Sequence, residues 1–134
     1  MDPFCGFGTF LIEAKKLGRE TVGIEINKNK VNYSKNKILN IICENILKID
    51  NINLPKIDLC ITSPPFYLTE TNLDRNKKDL SKQRNYKIYL KNLIKIFLEI
   101  KKSLKKNAKL VILIKNIYIK NKYYPLAWDL ANNL

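Results

Sequence analysis

Residues near the start of the chain combine two glycines, a helix start and, further along, an acidic side chain. Gly6 and Gly8 precede a predicted helix, where glycines let a ligand approach the backbone closely and the helix N-terminus favours anionic groups. Glu25 lies 19 residues after Gly6, at the end of a predicted strand, where a carboxylate can accept both hydroxyls of a ribose. Leu11 stands where a dinucleotide-binding motif has its third glycine, so this set alone does not separate a nucleotide site from a tight turn.

A second set of residues follows a buried strand. Ser63-Pro64-Pro65-Phe66 comes directly after the apolar run 57–62, and two prolines end a strand sharply because neither can donate to the ladder. Taken alone, this is a proline-rich turn with an aromatic side chain. In doubly wound sheets, however, ligands bind just beyond the carboxyl ends of the strands. Because both sets lie at such ends, together they predict one site.

The composition excludes several kinds of chemistry. The 134 residues contain no histidine, which excludes Ser-His-Asp hydrolysis, His-ligated metals and His acid–base catalysis. Cys5, Cys43 and Cys60 are widely spaced without a CxxC pair, a pattern that argues against a zinc site or a disulfide scaffold and suits a reducing cytoplasm. No segment has the roughly 20 apolar residues that span a bilayer. We therefore expect a cytoplasmic protein with no metal and no membrane partner.

The elements that must position these residues alternate between helix and strand, the pattern of an open α/β sheet. The length and the hydrophobic content of 46% favour a single domain over residues 1–134. The clearest helix begins near Tyr86, and Asn107 stands where that helix could end in a left-handed cap. In full, the prediction is helices at 9–17, 27–39, 86–107 and 124–134, strands at 21–26, 41–46, 57–62 and 109–118, and a polar loop at 67–84.

The positive charge of the chain is concentrated in one segment. The whole chain has a net charge of +13, whereas residues 75–122 hold 16 Lys/Arg and only 2 Asp/Glu. The rest of the chain is therefore close to neutral. Such a distribution is typical of a surface that binds a polyanion, although lysines on the outer face of a helix are usually only solvated.

The two sets of residues resemble motifs of one enzyme family. Residues 2–9, DPFCGFGT, resemble motif I of the S-adenosylmethionine-dependent amino-methyltransferases of the DNA methylase family, which act on N4 of cytosine and N6 of adenine. Residues 62–66, TSPPF, resemble their motif IV, in the serine form most associated with cytosine N4. The resemblance implies a Rossmann-like, doubly wound, mostly parallel sheet, and it covers essentially the whole chain.

The resemblance also implies a role for each matching residue. The cofactor would be S-adenosyl-L-methionine, with Asp2, Phe4, Gly6 and Gly8 at its methionine end, Glu25 at the ribose hydroxyls, Ile26 on the adenine, and Asn45 near the adenine, where the family usually has Asp. The catalytic residues would be Ser63, Pro64, Pro65 and Phe66.

The implied mechanism suits an exocyclic amine, whose lone pair is delocalised into the ring. The Ser63 hydroxyl and the Pro64 carbonyl would accept the two amine hydrogens, and Phe66 would stack on a base that is flipped out or single-stranded. Methylation at C5 of cytosine needs a cysteine directly after Pro-Pro, where this chain has Phe66. The resemblance therefore predicts a site-specific DNA methyltransferase, as in restriction-modification systems, that contacts DNA through residues 75–122.

Alternative functions stay open. Two keep the enzyme class and change the target, to N6 of adenine in DNA or to N2 of guanine in tRNA; enzymes of the tRNA group usually have Asp where this chain has Ser63. A third, of another class, is an inactive remnant or a binding subunit that needs a partner chain.

Family order further suggests a truncated domain. Only Met1 precedes Asp2, so the central strand that motif I normally ends has no sequence, and no residues follow Leu134 to form the last antiparallel hairpin or a target-recognition domain. We expect two unpaired ladders, exposed apolar surface, and a missing segment or partner chain that supplies the strand.

Overall fold

A computed structural model describes residues 1–35, 40–67, 80–83, 85–119 and 121–134. Within these ranges helices and strands alternate, as the hydrophobic pattern predicts. In chain order the elements are α1 (Thr9–Lys16), β1 (Gly23–Glu25), α2 (Lys28–Lys35), β2 (Ile41–Cys43), a 3₁₀-helix (Ile46–Asn51), β3 (Ile57–Thr62), a second 3₁₀-helix (Leu80–Lys82), α3 (Tyr86–Ser103), β4 (Leu104–Ile112), β5 (Ile117–Ile119), β6 (Lys122–Tyr124) and α4 (Leu126–Ala131).

The start of the chain joins two parallel strand pairs. β1 pairs with β2, and β3 pairs with β4. On one side Asp2 donates its backbone N–H to Val22 O (3.0 Å) and forms a parallel bridge with Gly23. On the other side Met1 O accepts from Ile61 N (3.0 Å), and the Met1 ammonium group donates to Leu59 O (2.8 Å). The parallel order is therefore β2, β1, Met1–Asp2, β3, β4.

This order corrects the expectation of two wholly unpaired ladders, because two residues already bond to both neighbours. It also locates the point where the strand order reverses. β1 and β2 lie on one side of Met1–Asp2, and β3 and β4 lie on the other. In open α/β sheets such a switch point is where ligands bind, outside the carboxyl ends of the strands.

Close packing holds α1 against β1. A Cβ atom on Gly23 would lie 2.5 Å from the Leu11 Cδ1 atom and 2.8 Å from the Cys5 Sγ atom. Leu11 and Cys5 are both buried. Only a residue without a side chain leaves room for this approach, which fixes α1, and the glycine loop before it, above β1.

The core lies against α3. Asn85 caps this helix by accepting from Ile88 N (3.2 Å), as a short polar residue at the N-cap does. One face of α3 is buried and contacts the first 3₁₀-helix and α4. Its buried residues are Tyr89, Leu93, Ile96, Phe97 and Ile100.

Two predictions for the second half of the chain are wrong. Asn107 has the expected left-handed conformation (φ 67°), but α3 ends at Ser103 and Asn107 lies inside β4, near a shift in the β3–β4 register. The strand predicted over 109–118 is divided, because β4 ends at Ile112 and Ile117–Ile119 pairs antiparallel with Lys122–Tyr124. Asn121 (φ 58°) provides the turn of this hairpin, since asparagine tolerates positive φ.

One face of the β3–β4 pair exposes apolar side chains. Ile61 and Val111 are register partners and so share a face. Leu59, Val111 and Leu113 are exposed large hydrophobic residues. Nowhere in the described ranges does a helix reach the length and apolar content needed to cross a membrane.

Most of the polar loop predicted at 67–84 lies outside the described residues.

Candidate functional site

A cleft with a volume of about 170 Å³ lies at the switch point of the sheet. It is bordered by the glycine loop, the carboxyl end of β1, the turn after β2, and the segment after β3. The lining residues are Pro3, Phe4, Gly6, Ile24, Glu25, Ile26, Lys30, Glu44, Asn45, Ile46, Ser63, Pro65 and Leu80. Residues widely separated in the sequence thus meet in one place, as expected for the carboxyl ends of parallel strands.

Asp2 lies beneath this cleft and does not line it. Its side chain is almost fully buried, and Oδ1 accepts hydrogen bonds from Thr62 Oγ1 (2.5 Å) and from Phe4 N (3.0 Å). Burial raises the pKa of the Asp2 carboxyl above its ordinary value, and the two hydrogen bonds oppose that shift. Asp2 therefore ties the strand that ends at Thr62 to the loop that carries Phe4.

The two glycines of the loop occupy different places. Gly6 lines the cleft at φ 53°, and a Cβ atom there would meet no neighbour within 4 Å, so its backbone conformation is what favours glycine. Gly8 (φ 80°) is buried at the N-cap of α1, where its N–H donates to Cys5 O (2.7 Å). Gly8 shapes the turn and lies outside the cleft lining.

Glu25 is held at the end of β1 with its carboxylate at the cleft. Its Oε1 accepts from Asn27 N (2.8 Å), and Asn27 in turn caps α2 by accepting from Asn29 N (2.9 Å). Glu25 is only 9% exposed. A carboxylate has about four acceptor positions over its two oxygens, so one backbone bond fixes the side chain and leaves capacity for hydroxyl donors.

Asn45 begins the first 3₁₀-helix beside the same cleft. Its Oδ1 accepts from Leu47 N (3.0 Å), which makes it an N-cap. Glu44 accepts from Asn45 N (2.7 Å), and this bond, together with the Lys48 ammonium group, lowers the pKa of the Glu44 carboxyl. The turn therefore presents a fixed amide and a carboxylate at the rim.

The segment after β3 brings a hydroxyl, carbonyls and an aromatic ring to the other wall of the cleft. Ser63 and Pro65 line it, and Pro64 is buried. Phe66 lies beyond the lining, 39% exposed, with the Lys115 Nζ atom 5.2 Å from its ring centroid. The Pro65 carbonyl accepts from the Tyr89 hydroxyl (2.8 Å), which anchors the segment to α3.

The chain is similar to known proteins in three comparisons. Residues 1–36 match the family model described as DNA methylase. The chain is 29% identical, over an 80-residue alignment, to the tRNA (guanine(10)-N2)-dimethyltransferase of Methanocaldococcus jannaschii, an alignment that covers 49% of this chain and 22% of that protein. An S-adenosylmethionine-dependent methyltransferase from Clostridium acetobutylicum superposes with a TM-score of 0.56 at 20% identity, over 83% of this chain and 40% of its own.

The fold is that of the S-adenosylmethionine-dependent methyltransferases. The match to the DNA methylase family extends over the segment with the glycine loop and β1. The chain spans less than half the length of both relatives. Within the methyltransferase fold, the cleft holds seven of the predicted site residues, whereas Asp2, Gly8, Pro64 and Phe66 lie around it.

A cluster of tyrosines packs next to the Ser63–Phe66 segment of this methyltransferase fold. The Tyr67 ring lies 5.3 Å from Tyr89, 5.6 Å from Tyr86 and 5.4 Å from Tyr124 between ring centroids. The Tyr86 hydroxyl donates to Asp129 Oδ2 (2.5 Å). Burial is the largest cause that raises the pKa values of Tyr86 and Tyr89, so both hydroxyls stay protonated donors at neutral pH.

The sequence motifs did not identify six of the lining residues, which are Pro3, Ile24, Lys30, Glu44, Ile46 and Leu80. Three of these carry a charge or come from the segment predicted as a loop. Lys30 reaches the lining from α2, Glu44 precedes Asn45, and Leu80 belongs to the second 3₁₀-helix, within the segment predicted as a loop. Glu44 could have been found from its place at the end of β2. Lys30 and Leu80 reach the cleft through tertiary packing, for which the sequence carries no local signal.

Two of the cysteines, Cys5 and Cys60, have a structural role in the core. Cys60 is fully buried in β3, and Cys5 is buried next to α1. Burial raises the pKa of both thiols to about 12, so neither is a thiolate at neutral pH. In the described part of the chain no group of His, Cys, Asp or Glu is arranged to hold a metal ion.

Proposed function

We propose that this chain is the catalytic part of an S-adenosylmethionine-dependent methyltransferase that acts on an exocyclic amine of a nucleic-acid base, with N4 of cytosine in DNA as the favoured target. The observation that carries the proposal is the meeting of Glu25 and Ser63 in one cleft. A ribose-binding carboxylate and an amine-binding hydroxyl would then face the two reactants from opposite walls. Residues 1–134 would form a single, partial catalytic domain.

The cleft residues fit the chemistry of S-adenosylmethionine. Bound there, the cofactor supplies an electrophilic methyl group on a sulfonium ion. The Glu25 carboxylate suits the ribose diol, Ile26 offers an apolar contact for the adenine, and the positive-φ loop at Gly6 exposes backbone to the methionine end. Asp2 would act from below, because its hydrogen bond to Phe4 N holds the loop in place.

The segment after β3 would prepare the amine for attack. The Ser63 hydroxyl and the Pro64 carbonyl accept the amine hydrogens, which favours a tetrahedral nitrogen whose lone pair is available. The exposed ring of Phe66 stacks on the base. The amine nitrogen would take the methyl group, leaving the sulfur as a neutral thioether, and would lose its extra proton to solvent. Catalysis is then mainly positioning and electrostatics, with no covalent intermediate.

The direct test is a transfer assay with product analysis. The protein is incubated with S-adenosylmethionine labelled in the methyl group and with either duplex DNA, single-stranded DNA or unmodified tRNA, and the nucleosides are separated after digestion. The proposal predicts N4-methylcytosine from DNA, with a large loss of rate in Ser63→Ala. Ser63→Ala transferring at the wild-type rate would contradict the role assigned to Ser63.

A second target is favoured by a specific observation, the similarity to a tRNA (guanine(10)-N2)-dimethyltransferase. Methylation of guanine N2 in tRNA would use the same cleft, because the N2 group of guanine is also an exocyclic amine. N2-methylguanosine from tRNA would favour this target, and N6-methyldeoxyadenosine from DNA would favour the adenine form of the family. Cofactor binding without transfer to any of these substrates would favour a binding subunit.

A further inference from the structure

We propose that Lys115 binds the backbone phosphate next to the target base while that base stacks on Phe66. The inference rests on the proposed function and adds a substrate-binding residue to it. The Lys115 Nζ atom lies 5.2 Å from the centroid of the Phe66 ring, and both side chains are exposed.

Strand pairing explains why these two residues meet. β4 runs parallel to β3, and the bond from Leu113 N to Thr62 O (2.8 Å) continues the pairing one residue beyond the end of β4. Lys115 follows Leu113 by two residues and Phe66 follows Thr62 by four. Both therefore lie at the carboxyl edge of the sheet, the edge that carries the cleft.

Among the residues that the structure describes, no carboxylate forms an ion pair with Lys115. Other exposed lysines form ion pairs, for example Lys95 with Asp50 (3.0 Å) and Lys105 with Asp58 (2.9 Å). In the described ranges Lys115 forms no such ion pair, and its ammonium group lies over the face of an aromatic ring, an arrangement stabilised by the ring quadrupole.

A cation beside an exposed ring matches the chemistry of a nucleotide. Proteins that bind single-stranded nucleic acid combine aromatic rings, on which bases stack, with positive side chains that follow the phosphates. Phe66 offers the ring and Lys115 the charge, at the wall of the cleft where Ser63 would receive the amine. A base that stacks on this face of Phe66 would displace the ammonium group from the ring, and the ammonium group would then turn to a phosphate of the same nucleotide.

The experiment measures the salt dependence of binding to a short single-stranded oligonucleotide that contains one cytosine. Fluorescence anisotropy gives the affinity at several salt concentrations for wild type, Lys115→Gln, Lys115→Arg and Lys56→Gln. Lys56 is the matched control because it is exposed, carries the same charge and lies outside residues 75–122, directly before β3. The six residues of β3 separate it from the carboxyl edge of the sheet by roughly 20 Å at about 3.3 Å per residue, so a base on Phe66 leaves its own phosphate far from Lys56.

One lost phosphate contact reduces the slope of log affinity against log salt by about 0.7 for single strands. We expect this reduction in Lys115→Gln, and the wild-type slope in Lys115→Arg and Lys56→Gln. An unchanged slope in Lys115→Gln, or no binding by wild type, would overturn the inference. If wild type binds the oligonucleotide and transfers methyl groups but the salt slope of Lys115→Gln is unchanged, only the role of Lys115 is overturned. If the slopes are as expected but S-adenosylmethionine does not bind, only the proposed reaction is overturned.

Discussion

Thr62 donates a hydrogen bond of 2.5 Å to Asp2 across 60 residues of sequence. Both side chains are buried. Thr62 is the last residue of β3, directly before Ser63, and Asp2 begins the loop that leads to Phe4 and Gly6. This one bond therefore joins the proposed amine-binding segment to the proposed cofactor-binding loop.

Substitution of Thr62 by valine should loosen this junction. Thr62→Val keeps a similar shape but leaves the buried Asp2 carboxyl without one of its two donors, so the free energy of unfolding should fall by about 1–3 kcal/mol. Urea unfolding measures the change. Thr21→Val, at a half-buried threonine outside this bond, is the control, and equal stability of both variants would contradict the assignment.

The ionisation of Asp2 should leave a signature in the pH dependence of stability. Because burial raises its pKa above 3.8 in the folded state, folding favours the protonated form. The contribution of the protonated Asp2 carboxyl to the free energy of unfolding is fully present below pH 3.8, and it is lost as pH rises through the folded-state pKa. The unfolding free energy of wild type minus that of Asp2→Asn should therefore decrease as pH rises above 3.8. A difference that stays constant or increases would show that Asp2 is not destabilised by burial.

Removal of the Tyr89 hydroxyl should affect transfer more than cofactor binding. Tyr89→Phe removes the donor to the Pro65 carbonyl, at a cost of about 1 kcal/mol in stability, and releases the segment that carries Ser63. We expect a lower kcat with an unchanged affinity for S-adenosylmethionine. Tyr118→Phe, at an exposed tyrosine, should match wild type, and a Tyr89→Phe enzyme with wild-type kcat would contradict the positioning role.

Much of the first half of the fold could be predicted from the sequence because local signals agree there. α1 ends just before Gly18, which has φ 70°, and β3 has the predicted bounds Ile57–Thr62. The meeting of Glu25 and Ser63 in one cleft follows from the rule on strand ends.

The rest depends on interactions that no local pattern encodes. The apolar run after Lys109 has the composition of one long strand, and only Asn121 signals the hairpin that follows it. The prediction that Asn107 ends α3 was wrong because a residue in the left-handed conformation suits an irregularity in a strand as well as the end of a helix. The bonds of Met1 to β3 could not be foreseen, since two residues carry no periodicity.

Calorimetric titration of S-adenosylmethionine into wild type, Glu25→Gln and Ser63→Ala tests whether this cleft binds the cofactor. Glu25→Gln keeps the size of the side chain but removes the charge and one acceptor, so it should weaken binding by at least about tenfold, on the order of 1.4 kcal/mol. Ser63→Ala should bind like wild type, because its role lies with the amine. No binding by wild type, or equal binding by wild type and Glu25→Gln, would contradict the assignment of this cleft to the cofactor.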